Sequence, residues 1–219
     1  MLPDESTAGS PTPRPGPDLR ERRRRELTRT IAIAAVELFE RNGYAATTID
    51  DIAAAVGISR TTFFRHCATK EAAVLVDDAG LEPELVSVAA GVSVRHPLRD
   101  LEDAWERMTG VFDSDREGRD RFRRVRRVMV ANPQLLAAGL EREARLTERI
   151  ATTLVDHVGL AVVDASVVAG RFALGMRLAF DEWVRRGDET AEAPPLRDVY
   201  ADVRAALARA AKAGDTRHE

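Results

Sequence analysis

From Leu27 onward, apolar residues return at helical intervals. Leu27, Ile31, Ala34, Ala35, Leu38 and Phe39 fall at i, i+4, i+7, i+8, i+11 and i+12, one face of a helix. Asn42-Gly43 ends that stripe, and Gly43 suits the left-handed position that closes a helix. A second, shorter pattern begins at Thr48, where Thr-Ile-Asp-Asp sets a carboxylate three residues after a capping hydroxyl. Ile49, Ile52, Ala53 and Val56 form its buried stripe. Gly57 breaks it, Ile58 plugs the turn, and Ser59 is a good N-cap for a third helix to about Cys67. On that helix Phe63 and Cys67 turn inward, while Thr61 and Arg65 turn outward together. Two short helices about a glycine turn outline a helix-turn-helix. An outer face of Arg and Thr suits base edges and phosphates in a major groove. An ordinary solvated face shows the same pattern, so wheel geometry leaves both open.

Beyond this head the chain reads as helices with clear stops. One runs from about Thr69 to Asp78, is interrupted near Gly80 and Pro83, and continues to about Val92. Others span roughly 98–112, 117–131, 133–157, 162–186 and 195–212, bounded by Pro97, Asn132-Pro133, Gly159, Gly187 and Pro194-Pro195. Residues 1–19 carry Pro3, Pro11, Pro13, Pro15 and Pro17 and read as a disordered tail. The expected fold is all-α. An N-terminal three-helix head with a helix-turn-helix occupies 20–69, a C-terminal helical body occupies 70–213, and a second disordered tail follows at 214–219.

Composition sharpens this picture in two places. At 44% hydrophobic and only 5% aromatic, the 219-residue chain can build a core and favours helix over sheet. Net charge of −3 hides an asymmetry: residues 20–70 hold ten basic and six acidic side chains, +4, leaving −7 elsewhere. A basic head on an acidic body suits a nucleic-acid binder. The single cysteine, Cys67, excludes an internal disulfide and a cysteine-based zinc cage. It reads as a small buried apolar residue. No apolar run approaches the ~18 residues of a membrane span, and the polar, proline-rich start is unlike a signal peptide, so a cytoplasmic protein is expected. Four histidines (His66, His96, His157, His218) lack metal-ligand spacing, and no phosphate loop or nucleophile elbow is present. Asp50 and Asp51 point apart on a helix. No catalytic residues, metal or cofactor are expected.

The stretch TTIDDIAAAVGISRTTFFRHCATKE, Thr47–Glu71, resembles the DNA-binding head of the TetR/AcrR family of transcriptional regulators. The preceding IAIAAVELFERNGYAATT resembles that family's first helix and its connection. Together they cover about a quarter of the chain. Cys67 stands where the family usually has Phe, and Phe64 where Tyr is common. The resemblance implies a ligand-responsive repressor that binds a palindromic operator as a homodimer. It implies a DNA-binding set of Thr48, Ser59, Arg60, Thr61, Thr62, Phe64, Arg65, His66 and Lys70. Thr48 and Thr62 would contact the backbone, Arg60 and Thr61 would read bases, and Arg65 and His66 would flank the groove. His66 has the alternative of a surface imidazole packed on Tyr44 or Phe63. Lys70, at the start of the fourth helix, would meet a phosphate. The run Arg22–Arg25, just before the first helix, would add non-specific phosphate affinity.

In the body, the family's last two long helices usually pair with their copies. Val168, Phe172, Gly175 and Ala179 make one candidate stripe, and Leu196, Val199, Tyr200, Val203 and Leu207 another. Either stripe also suits intramolecular core. Trp105, Met108, Phe112, Phe122, Met129, Phe172, Met176 and Trp183 are candidates for a pocket holding an apolar small-molecule effector. The segment RFRRVRRVMVANPQLLAAGLEREARL is similar to the body of mycofactocin-regulator-like members, which implies an acyl-CoA-like ligand. Arg123, Arg124, Arg126 and Arg127 would meet its phosphates or simply form a solvated face. Two other classes remain in view: a helical interaction adaptor whose head has lost DNA binding, and, least favoured, an enzyme.

Overall fold

The computed structural model describes residues 19–76, 80–190 and 193–215. These form ten α-helices, with no strand among the described residues. Residues 1–18 of the expected N-terminal tail lie outside them, as do residues 216–219 of the C-terminal one, whereas Leu19 and residues 214–215 are helical. Helix α1 (Leu19–Asn42) leads into α2 (Ile49–Ala55) and α3 (Arg60–His66), then α4 (Lys70–Val74) and α5 (Leu81–Ala89). The body continues with α6 (Pro97–Ser114), α7 (Arg116–Ala131) and α8 (Pro133–Thr153), the last prolonged by one wide turn, Leu154–Val158. Helices α9 (Val162–Glu189) and α10 (Leu196–Asp215) complete the chain. No helix among the described residues is long and apolar enough to cross a membrane.

Helix α1 differs from expectation at its start. Arg22–Arg25 lie within it rather than before it, because arginine is a good helix former and Glu21 pairs with Arg25 one turn later at 3.2 Å. Helix α4 is also shorter than the periodicity suggests, ending at Val74. Pro83 does not interrupt a helix. It falls in the first turn of α5, where its missing N–H leaves no intrahelical bond unmade, and α5 begins after the left-handed Gly80 at φ +70°.

Two cores divide the molecule. The head core gathers Ile31, Val36, Phe39, Ile52, Phe63 and Cys67 with Ala73 and Val74 of α4. Val128 and Met129 of α7 and Leu135 of α8 belong to the same cluster, so the head is docked onto the body through shared apolar packing. The body core joins α5, α6, α8, α9 and α10.

The centres of both candidate dimer stripes are packed inside this chain, while Val168, Val203 and Leu207 are half-buried. Phe172 and Ala179 on α9 are 1% exposed, and Leu196, Val199 and Tyr200 on α10 are 1%, 0% and 2% exposed. A Cβ on Gly175 would touch Tyr200 at 3.6 Å and Leu207 at 3.7 Å. Small residues there do permit close approach, but between α9 and α10 of one chain. Exposed aliphatic side chains lie elsewhere: Val163, Val167 and Leu178 on α9, Leu140 on α8 and Val130 on α7.

Candidate nucleic-acid interface and effector core

Helix α2 is seven residues long and starts on a reciprocal cap. Asp51 N–H donates to Thr48 Oγ1 at 3.1 Å, and Thr48 N–H donates to Asp51 Oδ2 at 2.8 Å. Two otherwise orphaned helix donors are thereby satisfied. These bonds hold the Asp51 carboxyl below its usual range. Gly57 turns the chain at φ +69°, and Ile58 N–H closes onto Ala53 O at 3.0 Å. Ser59 then caps α3 by accepting from Thr62 N–H at 3.1 Å, with its hydroxyl 3.0 Å from that of Thr62. Each cap is worth about 1 kcal/mol, large for a helix too short to persist alone.

This frame sorts the side chains of α3. Phe63 is fully buried, and Cys67, just past the helix, is 3% exposed, its thiol pushed up to about 11 by burial. It is an un-ionised core group at neutral pH. Arg60, Thr61, Phe64 and Arg65 are exposed, Thr62 half-buried. Phe64 stands edge-on to Phe63 at 5.8 Å between ring centres and carries the Arg60 guanidinium 5.3 Å above its own ring. The Arg60 fork also donates to Asp50 of α2 at 2.9 Å.

His66 and Lys70 are placed differently from what the sequence suggests. His66 Nδ1 lies 3.1 Å from Thr28 Oγ1 on α1. That hydroxyl gives its only proton to Arg24 O at 2.8 Å, so it accepts from the imidazole, which carries its proton on Nδ1. A hydrogen bond to α1 thus holds the ring, a partner that neither sequence reading of His66 included. Burial and the neighbouring Arg24 and Arg65 hold its pKa below the usual value, which leaves it neutral at pH 7 with Nε2 as an acceptor. The same contact lays the start of α1, with its arginines, beside the C-terminal end of α3.

The Lys70 ammonium is occupied within the protein. It donates to Tyr44 O at 2.8 Å and Thr47 O at 3.1 Å and sits 3.9 Å from the centre of the Tyr44 ring. Tyr44 in turn donates to Glu71, and burial together with that bond pushes its phenol up to about 12. Lys70 thus braces the α1–α2 loop that presents Thr48. Lys70→Ala strands two carbonyls, and a loss of about 1–3 kcal/mol in head stability is expected. Thermal unfolding read beside the salt dependence of DNA binding checks it. A lower Tm with a nearly unchanged salt slope is expected, whereas an unchanged Tm with a slope reduced by about one would make Lys70 a phosphate ligand after all.

A sequence model described as bacterial regulatory proteins, tetR family, matches residues 31–75, which span this head. The chain is also 32% identical over 196 residues to the HTH-type transcriptional regulator TcmR of Streptomyces glaucescens, covering 86% of this chain and 85% of that protein. The chain belongs to the TetR family. It is a DNA-binding transcriptional regulator. A second TetR-family relative, named as mycofactocin biosynthesis transcriptional regulator MftR of Mycobacterium tuberculosis, is 32% identical over 167 residues, 75% of this chain and 83% of that one. A TetR-family crystal structure from Mesorhizobium loti aligns with TM-score 0.47 at 22% identity, covering 87% of this chain and 98% of that one.

In this TetR-family body, seven of the eight effector candidates meet in one aromatic cluster. Phe112, Phe122 and Trp183 pack at 5.6 to 6.2 Å between ring centres, Phe122 reaches Phe180 at 4.5 Å, and Trp105 contacts Phe180 at 5.8 Å. Met108, Phe172 and Met176 belong to the same core. Met129 does not: it lies in the head core, separated from the cluster. The grooves near these helices are lined by other residues. One of about 660 Å³ runs between α8 and α9 past Glu143, Thr147, Ser166 and Arg177. One of about 670 Å³ lies among α7, α8 and α9, and Met129 is the one candidate that lines it. Within the cluster Trp183 Nε1 donates to Pro194 O at 2.7 Å, whereas Trp105 Nε1 is buried with no hydrogen-bond partner among the described residues.

The arginine run of α7 is ion-paired rather than open to a phosphate. Arg123 donates to Gly187 O and to Asp188, Arg126 pairs with Asp181, and Arg127 donates to Asp188 at 3.0 Å. Arg124 faces the other way and grips Glu40 of α1 with two bonds of 3.1 Å. Alternation around one helix divides these four arginines, three bridging to α9 and Arg124 to the head. Partners 55 to 84 residues away could not be seen from the run itself.

Proposed function

We propose that this TetR-family regulator is a homodimeric repressor that reads a two-fold operator through α3 and is released from it by an apolar small-molecule effector. The observation that carries the DNA-reading part is the face of α3. Arg60, Thr61, Phe64 and Arg65 are all exposed on a seven-residue helix whose inner residue, Phe63, is fully buried. Such a face reaches base edges, while Thr48, Ser59, Thr62 and His66 position the helix, and Arg22–Arg25 supply phosphate affinity from α1. Half-sites about one helical turn apart, ~34–36 Å, require two heads held by one dimer. The aliphatic face of α8 and α9 is the surface we assign to that contact.

For the effector, the support is the aromatic cluster and its orphaned donor. A ligand entering between α6, α9 and α10 would displace ring contacts with its own apolar surface and offer an acceptor to Trp105 Nε1. Acyl-CoA-like molecules are the first candidates. Their phosphates would have to take Arg126 or Arg127 from Asp181 or Asp188, which favours the uncharged end of the effector range. An effector shifts the head arrangement only through its difference in affinity for the two arrangements.

The test is binding of the full-length protein to duplexes from the region upstream of its own gene, at several salt concentrations. Site-specific, salt-sensitive binding is expected, followed by release when a long-chain acyl-CoA or free fatty acid is added. Release of roughly 5- to 150-fold corresponds to the usual range of coupling. Binding to no duplex at low salt would favour an interaction adaptor. Binding unaffected by any apolar ligand would leave the operator and remove the proposed effector.

A further inference from the structure

Two adjacent acids open α2, and they do different work. Asp51 is consumed by the cap on Thr48. Asp50 takes no part in that cap and instead accepts from Arg60 Nη1 at 2.9 Å, across the turn between the two helices. We propose that Asp50 is a specificity-determining residue of the DNA-reading head, fixing the Arg60 fork and setting its own carboxylate against the base beside it. This rests on the assignment of α3 as the reading helix.

Stability does not account for the pair. Its side chains are 56% and 66% exposed, and ion pairs so placed contribute little to folding. Nor is a carboxylate on this face favourable for affinity, since the duplex carries one negative charge per ~1.7 Å of axis. What the pair does provide is geometry. Arg60 has five N–H donors, of which Asp50 accepts from one nitrogen, while the Phe64 ring supports the guanidinium from below at 5.3 Å. A long side chain with several rotamers is held from two directions before DNA arrives. The remaining donors keep the fork that matches guanine O6 and N7.

The carboxylate also discriminates by itself. It accepts from an exocyclic amine, as on cytosine N4 or adenine N6, and repels an acceptor such as thymine O4. A repulsive group that lowers affinity for every wrong base is a common route to specificity. Asp50 therefore trades overall affinity for selectivity, and its removal moves the two in opposite directions. A residue that merely supported the fold would lower both.

The experiment compares full-length wild type, Asp50→Asn, Asp50→Glu and Arg60→Ala by selection from a randomised duplex library, with affinity measured on the selected sites and on a non-specific duplex. Circular dichroism and thermal unfolding accompany each variant. Asp50→Asn should fold as wild type, bind the non-specific duplex several-fold more tightly, and lose about tenfold in base preference, the size of one good base contact. The loss should fall at the base pair that Arg60→Ala relaxes, or at its immediate neighbour. Asp50→Glu should recover part of the preference, and Asp50→Asn should add little on top of Arg60→Ala. An unchanged base profile for Asp50→Asn beside a relaxed one for Arg60→Ala overturns the role of Asp50 and leaves α3 as reader. A profile unchanged in both variants overturns Asp50 and the reading role of Arg60 together. A loss at positions remote from those of Arg60→Ala also overturns it.

Discussion

Val167→Arg on α9 is expected to turn the proposed dimer into a monomer of 24.1 kDa and to bring operator binding down by about three orders of magnitude, toward the non-specific level. The physical basis is where this chain leaves apolar surface uncovered. Val163, Val167 and Leu178 recur along α9 at i, i+4 and i+15, and they are 73%, 62% and 40% exposed. Gly170 and Leu174 fall on the same flank, lining the groove against α8. Leu140 of α8 and Val130 of α7, 43% and 61% exposed, line a second groove with Arg177 and Asp181 of α9. Exposed aliphatic side chains that repeat along one side of a helix suit an interaction site. Two-fold symmetry would set it against itself, closing the contact without leaving a free patch. An arginine at its centre places two like charges across the axis and strands each in apolar surroundings. Val111→Arg is the control, because Val111 is also exposed, at 74%, but on α6, a different helix, and should change neither mass nor affinity. Sedimentation and a gel shift read both effects. A Val167→Arg protein that stays dimeric would move the interface elsewhere.

Trp183→Ala is expected to cost the body about 3–5 kcal/mol, the usual loss for a large aromatic removed from a core. At roughly 2–4 °C per kcal/mol for a chain of this size, Tm should fall by about 6–20 °C. Trp183 is 0% exposed and touches Phe112 at 5.6 Å and Phe122 at 6.2 Å, so its removal leaves a hole that rigid rings on two other helices cannot fill. Its indole N–H also holds Pro194 O, which ties the start of α10 back to α9. Trp183→Phe separates these contributions: it keeps most of the ring and strands the carbonyl, for about 1–3 kcal/mol. Calorimetry on both variants gives the answer, and a Tm for Trp183→Ala within a degree or two of wild type would mean that the cluster is loosely packed even without effector.

The parts of this protein that could be read from its sequence are those made by residues near one another in the chain. The cap of Thr48 on α2, the cap of Ser59 on α3 and the left-handed turn at Gly57 all act within three or four residues. The inward pair Phe63 and Cys67 follows from one helical turn. Those local rules, with the match of Thr47–Glu71 to a known head, sufficed for the fold class and the regulator function. Tertiary structure decided which groups meet across long gaps. Lys70 finds the carbonyls of Tyr44 and Thr47, 26 and 23 residues back, and so braces a loop. The arginines of α7 divide between α9 and α1 because a helix presents successive residues about 100° apart, and only packing shows what stands on each side. The stripes of α9 and α10 carry the same pattern whether they face their own chain or a partner. The burial of Phe172, Ala179, Leu196, Val199 and Tyr200 shows the centres of both packed within their own chain, with Val163, Val167 and Leu178 outside. Periodicity encodes that a face must be buried; what buries it is fixed by the three-dimensional arrangement of helices that no single segment specifies.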